Sequence, residues 1–157
     1  MHIDLVAVGT KAPAWVKEGY KEYALRMPRE CSLNLLEIPS GTRTRAAGTG
    51  ARAIEQESGR MLAAVPQRNI VVALEESGLA WSTRALAKRL EHWMQSGQNV
   101  SLLVGGPDGL SDACRSRADQ RWSLSPLTLP HMLVRVVVAE QLYRAWTVLV
   151  GHPYHRD

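Results

Sequence analysis

The chain has 157 residues, of which 45% are hydrophobic and 22% charged, and a net charge of +4. Those values are ordinary for a soluble globular protein of one domain, here spanning residues 1–157, and a chain of that size buries roughly 68–70% of its unfolded surface. The mild positive charge favours a polyanionic partner. Cys31 and Cys114 lack a CxxC spacing, which speaks against a zinc site and a disulfide scaffold and fits a reducing cytoplasm.

Taken in chain order, Met1 to Leu5 offers no basic region ahead of an apolar stretch, so no secretory signal is expected. Ile3 to Val8 predicts a short buried strand ending at Gly9-Thr10. Trp15, Val16, Gly19, Tyr20, Tyr23, Ala24 and Met27 recur at helical spacing, predicting a helix over 13–27 that Pro28 closes. Leu33 to Ile38 is a second strand. The Gly- and Thr-rich stretch 40–50, with Arg43 and Arg45, reads as a loop, and Ala51 to Val65 as a helix. Asn69 to Leu74 and Val100 to Val104 are β-branched or apolar runs, hence buried strands. Between them Ser82 caps a helix that Gly97 ends. Ser111 caps a short helix, and a weaker strand lies near Arg121 to Leu124. Pro130 then opens a last helix to Val150, which Gly151 and Pro153 stop. Strands alternating with helices predict an α/β fold on a mainly parallel sheet.

The last helix is apolar nearly all round. Leu133 to Val150 holds Arg135, Glu140 and Arg144, too many charges for a membrane span. Glu140, Arg144 and Thr147 make a narrow polar stripe, with Glu140 placed to pair with Arg144. Burial on several faces predicts either a central core helix or a second subunit as partner.

No G-x-G-x-x-G follows the first strand, and no P-loop, H-E-x-x-H, G-x-S-x-G or metal-spaced His cluster is present, so no metal is expected. Three segments remain. Gly105-Gly106 directly follows a buried strand, where a ligand can approach the backbone or a tight turn can form. Leu124-Ser125-Pro126-Leu127-Thr128-Leu129-Pro130 alternates apolar and hydroxyl residues between prolines. It reads as an irregular edge strand or as rigid backbone offered to a planar ligand. The tail His152-Pro153-Tyr154-His155-Arg156 places a base, a stacking aromatic and a phosphate-binding guanidinium together, unless it is a solvated terminus. The arginines at 43, 45 and 52 suit phosphate contacts or a solvated loop equally.

Jointly, these residues resemble the knotted, SPOUT-type RNA methyltransferases, and among them the ribosomal large-subunit methyltransferase H family. The resemblance runs from Leu5-Val6-Ala7-Val8-Gly9-Thr10-Lys11 through Leu102 to Leu110, Leu124 to His131 and Leu142-Tyr143-Arg144-Ala145-Trp146 to the tail. Met132 and Glu75 depart from it, where Pro and Asp are expected. It implies a C-terminal deep trefoil knot holding S-adenosylmethionine against Leu74, Gly105 and Leu124, Ser125, Pro126, Leu127, Thr128 and Leu129. It implies a homodimer in which one subunit's tail reaches the other's cofactor. The implied reaction is methylation of N3 of a pseudouridine in helix 69 of bacterial 23S rRNA, on assembled ribosomes, in the cytoplasm. His155 is then the first choice for base, with Arg144 and Tyr154 as further catalytic residues and Arg156 and His152 binding substrate. The alternatives are a non-catalytic ribosome-binding protein of this fold, or a methyltransferase acting on another RNA.

Overall fold

The computed structural model describes residues 1–44 and 50–156. Along the first strand, β1 (His2–Val8), successive side chains enter two different cores. Ile3, Leu5 and Ala7 join one, Val6 and Val8 the other, which is the period-two pattern of a strand covered on both faces. The elements that follow are α1 (Ala14–Ala24), a 3₁₀ turn (Arg29–Cys31), β2 (Ser32–Ile38), α2 (Ala51–Ala64) and β3 (Ile70–Ala80). Then come α3 (Thr83–Ser96), β4 (Val100–Val104), α4 (Asp112–Arg117), β5 (Gln120–Ser123) and α5 (His131–Val150). The strands form one sheet in the order β2-β1-β4-β3-β5, paired parallel throughout. Helices α1, α3 and α5 cover one face through Tyr20, Leu90, Trp93 and Leu142. Helices α2 and α4 cover the other through Met61 and Cys114.

Most boundaries follow local chemistry. The Ser82 hydroxyl accepts from the Ala85 amide at 3.1 Å, and Gly97 ends α3 at φ 69°, the left-handed position where glycine carries no steric cost. Ser111 caps α4 in the same way. Two boundaries differ from the sequence expectation. Helix α1 stops at Ala24; Met27 keeps the apolar spacing because it packs into the core from the turn beyond. β3 continues past Leu74 to Ala80. Leu74 and Leu79 both pair with Trp122, so Glu75 to Gly78 bulge out, and their polar sequence conceals the continuation. A Cβ on Gly78 would lie 2.7 Å from the Trp122 carbonyl carbon, so only glycine lets β5 approach there.

Helix α5 lies against both α1 and α3, which accounts within one chain for much of its apolar surface. Thr147 is fully buried rather than part of a polar stripe, and its hydroxyl donates to the Arg144 carbonyl at 2.7 Å. Leu133 and Val137 stay half-buried. Arg135 is 1% exposed, and its guanidinium donates to the carbonyls of Val8 (3.0 Å) and Gly9 (2.7 Å) and to Glu37 Oε2 (2.9 Å). Cys31 and Cys114 are free thiols buried in separate cores, and burial pushes the Cys31 thiol up to about 12. Among the described residues, no helix is long and apolar enough to cross a membrane.

Candidate functional site

The bulge of β3 and the carboxyl end of β4 open into a cavity of about 750 Å³, within the range of small-molecule sites. One wall is the turn after β4. Gly106 and Gly109 form an isolated bridge, the Gly109 amide donating to the Gly106 carbonyl at 3.0 Å, and Gly109 has φ 81°. A Cβ on Gly105 would stand 2.4 Å from the Gly109 carbonyl carbon. Glycine at 105 is therefore required by the loop's own return, which leaves main chain facing the cavity.

The opposite wall is the irregular segment from Leu124 to Pro130. It is stiffened by its own hydroxyls: Ser123 donates to the Ser125 carbonyl (3.1 Å), and the Ser125 hydroxyl accepts from the Leu127 amide (3.0 Å). Leu74, Gly105, Leu124, Ser125, Leu127, Thr128 and Leu129 line the cavity as the resemblance implies; Pro126 is exposed and does not. Leu127 is 72% exposed, an apolar side chain held at the rim. The chemistry of the walls suits a bent, cationic sulfonium cofactor. Leu74, Leu124, Leu127 and Leu129 would supply apolar contacts, and the carboxylate of Glu76 lies in the lining together with those of Glu75 and Asp108, which are paired with arginines.

Sequence reasoning missed the polar groups behind these walls. Glu75 is held by Arg115 (2.6 Å) and by an ion pair to Arg121 (3.2 Å). Asp108 receives Arg43 Nε at 2.8 Å, and the same guanidinium contacts Glu57, which is 2% exposed and also accepts from the Gly41 amide. Hydrogen bonds to Glu57 and Asp108 raise the Arg43 pKa. Arg43 is thus a strut between the 41–44 loop and the glycine turn rather than a free phosphate contact. Arg52 is exposed, and Arg45 lies outside the described residues. His131 lines the cavity at the start of α5. Burial first, then the Arg135 charge, lowers its pKa. Met132 sits over Gly9, its Cε 2.6 Å from where a Cβ would be. No cluster of three or more potential metal ligands occurs among the described residues.

The tail residues gather elsewhere. Gly151 (φ 66°) turns the chain back, and the His152 amide returns to the Thr147 carbonyl at 2.9 Å. Tyr154 then packs on Tyr143, with ring centroids 4.8 Å apart, and its hydroxyl donates to Glu140 Oε1 at 3.0 Å. Arg144 donates to the same carboxylate oxygen at 2.8 Å and lies over the Tyr154 ring at 4.9 Å. Burial, with Tyr23 and Glu140 beside it, pushes the Tyr154 pKa well above that of a free tyrosine. His152 Nδ1 accepts from the Tyr154 amide, His155 Nδ1 is buried without a partner, and Arg156 is exposed. Tyr143 is twelve residues beyond His131 along α5, roughly 18 Å. One chain therefore holds the cavity and the tail cluster apart.

A parallel five-stranded sheet with helices on both faces and a cavity at its carboxyl ends places the protein in the α/β class. It shares its fold with a crystal structure of a probable methyltransferase from Bordetella pertussis Tohama I (TM-score 0.56, 14% identity, 91% of this chain and 95% of that one). A family profile described as "Predicted SPOUT methyltransferase" matches residues 1–155. Ribosomal RNA large subunit methyltransferase H of Thioalkalivibrio sulfidiphilus (strain HL-EbGR7) is 59% identical over 157 residues, covering 100% of both chains. The protein of that name from Hahella chejuensis (strain KCTC 2396) gives the same identity and coverage. The chain belongs to the SPOUT methyltransferase family, in its ribosomal RNA large subunit methyltransferase H group.

Proposed function

We propose that this protein methylates large-subunit ribosomal RNA, with S-adenosylmethionine as donor and N3 of a pseudouridine in helix 69 of 23S rRNA as acceptor, on assembled ribosomes. The observation that carries the reading is the cavity between the bulge of β3, the glycine turn after β4 and the segment from Leu124 to Pro130, in a chain 59% identical to a ribosomal RNA large subunit methyltransferase H. When bound, the cofactor supplies an electrophilic methyl group on sulfur. Leu74, Gly105, Leu124, Ser125 and Leu127 to Leu129 hold it, and the trefoil knot implied by the resemblance belongs to this reading.

The acceptor nitrogen carries a proton that has to leave as the new C–N bond forms and the C–S bond breaks. His155 takes that proton. Tyr154 stays protonated well above neutral pH, so its part is stacking and hydrogen bonding against the extruded nucleotide. Arg144, oriented by Glu140, stabilises charge developing on the base. Arg156 and His152, both exposed, meet the RNA backbone. Because one chain separates its cavity from its tail, the working unit is a homodimer. Its contact runs along the half-buried Leu133 and Val137 stripe of α5, and each tail completes the partner's site.

Transfer of a radiolabelled methyl group to assembled ribosomes, free large subunits and naked rRNA, with the product nucleoside identified, tests the reading. Label in N3-methylpseudouridine from ribosomes supports it; label elsewhere or none defeats it. A mixed dimer tests the shared site. With a tail-deleted subunit paired to a Gly105→Val subunit, trans action leaves about half the activity, and cis action leaves none.

A further inference from the structure

Beside the cofactor cavity lies a second hollow of about 660 Å³ along β5, the edge strand of the sheet. Ser77 and Arg115 belong to the linings of both, so the hollows share the bulge of β3 as a wall. Two indoles stand back to back through that wall. Trp122 lines the cofactor cavity and Trp81 the second hollow, stacked with centroids 5.1 Å apart and planes 10° from parallel. The Arg89 guanidinium lies over the Trp81 ring, its Cζ 4.1 Å from the ring centroid, and donates to Gln120 Oε1 at 3.3 Å. The stack thus runs Trp122, Trp81, Arg89 from one hollow to the other.

The charge is partly balanced. Arg89, Arg115 and Arg121 line the second hollow with one carboxylate, Asp119, whose Oδ2 is taken by the Val71 amide at 2.8 Å. From outside that lining Glu75 pairs with Arg115 (2.6 Å) and Arg121 (3.2 Å), and Asp112 with Arg115 (2.9 Å). Arg121 is half exposed, with a side-chain accessibility of 51%. A guanidinium held over an aromatic ring is a surface on which an unpaired base stacks, and lysine does not reproduce it. An exposed arginine beside it suits the phosphate that follows.

We propose that this hollow anchors a single-stranded segment of the substrate RNA. A nucleobase lies on the outer face of Arg89, and the adjoining phosphate is held by Arg121 with Arg115 beside it, next to the nucleotide being modified. The inference rests on the RNA methyltransferase reading and adds a contact outside its cofactor and tail residues.

The test compares wild type with Arg89→Ala, Arg89→Lys and Arg121→Ala, using unmodified assembled ribosomes, on which kcat and KM are read, and large ribosomal subunits and naked 23S rRNA as binding probes. Dissociation constants, salt dependence, kcat, KM and cofactor affinity are measured for each. Arg89→Ala should raise Kd and KM on the order of tenfold at unchanged kcat and cofactor affinity, and Arg89→Lys should restore only part of it. Arg121→Ala should flatten the dependence of log K on log salt by about one phosphate contact. Unchanged binding and salt dependence in both alanine variants overturns the proposal. So does a matching loss of cofactor affinity, which marks the stack as wall support only. Weaker binding to subunits with unaltered binding to naked rRNA also overturns it, assigning the hollow to a ribosomal protein. If wild type binds RNA through these arginines but transfers no methyl group, the anchoring stands and the methyltransferase reading falls.

Discussion

The two ends of α5 carry different kinds of site. At His131 the helix closes a cavity shaped by two backbone features, the folded-back glycine turn and the hydroxyl-stiffened segment after β5. At Tyr143 it carries a cluster made of side chains, in which Glu140 receives both Tyr154 and Arg144. Main-chain walls depend on a few backbone conformations and tolerate changes of side chain around them. A side-chain cluster depends on each member. Changes at the first end should therefore act on cofactor binding, and changes at the second on transfer.

The largest expected effect breaks the second end alone. Deleting residues 154–157 should lower methyl transfer by about 10²–10⁴-fold, the usual cost of losing a positioned base. Cofactor affinity measured by calorimetry should stay near wild type, since no tail residue lines the cavity. A comparable loss of cofactor binding would erase the contrast between the ends.

Next, Arg135→Met should cost about 1–3 kcal/mol in urea unfolding for each of the two buried carbonyls it leaves unpaired, those of Val8 and Gly9. The loss should be global and favour neither end. Gly105→Ala should weaken cofactor binding and leave tail packing intact, because its Cβ would open the turn at Gly109. Tyrosine fluorescence together with cofactor titration reads both.

Acid should separate the ends more gently. The lowered pKa of His131 means that the folded state resists its protonation. Its stabilising contribution is fully present above the unfolded value of about 6.5 and is lost as pH falls through the lower folded value. Denaturant midpoints should decline from about pH 6.5 down to that lower value and level off beneath it, and His131→Gln should flatten the decline. The smallest effect is a control: Ser82→Ala removes the cap of α3 and should cost about 1 kcal/mol without altering transfer or cofactor affinity.

What could be read in the sequence follows the range of the interactions. The caps at Ser82, Ser111 and Gly97 and the Glu140–Arg144 pair are local, so the residue types alone predict them. The cavity walls were legible because they are built from contiguous glycine- and proline-marked segments. The bulge of β3 was hidden because Glu75 to Gly78 have turn composition and become strand only by pairing with Trp122. The Arg43–Asp108 and Arg135–Glu37 bonds join residues 65 and 98 positions apart, and no local pattern announces such partners. For the same reason Arg43 read as a phosphate contact or as part of a solvated loop, and its bonds to Glu57 and Asp108 were not foreseen.

The Arg135 bond also sets an order in time. The carbonyls of Val8 and Gly9 are made well before the donor that satisfies them, which lies 127 and 126 positions later. Until α5 docks, the end of β1 keeps its bonds to water and that end of the sheet cannot close. Loops so long are closed slowly. The chain is therefore an almost finished fold that waits for its last helix, and pulse-labelled hydrogen exchange should find the sheet end around β1 protected only when α5 is.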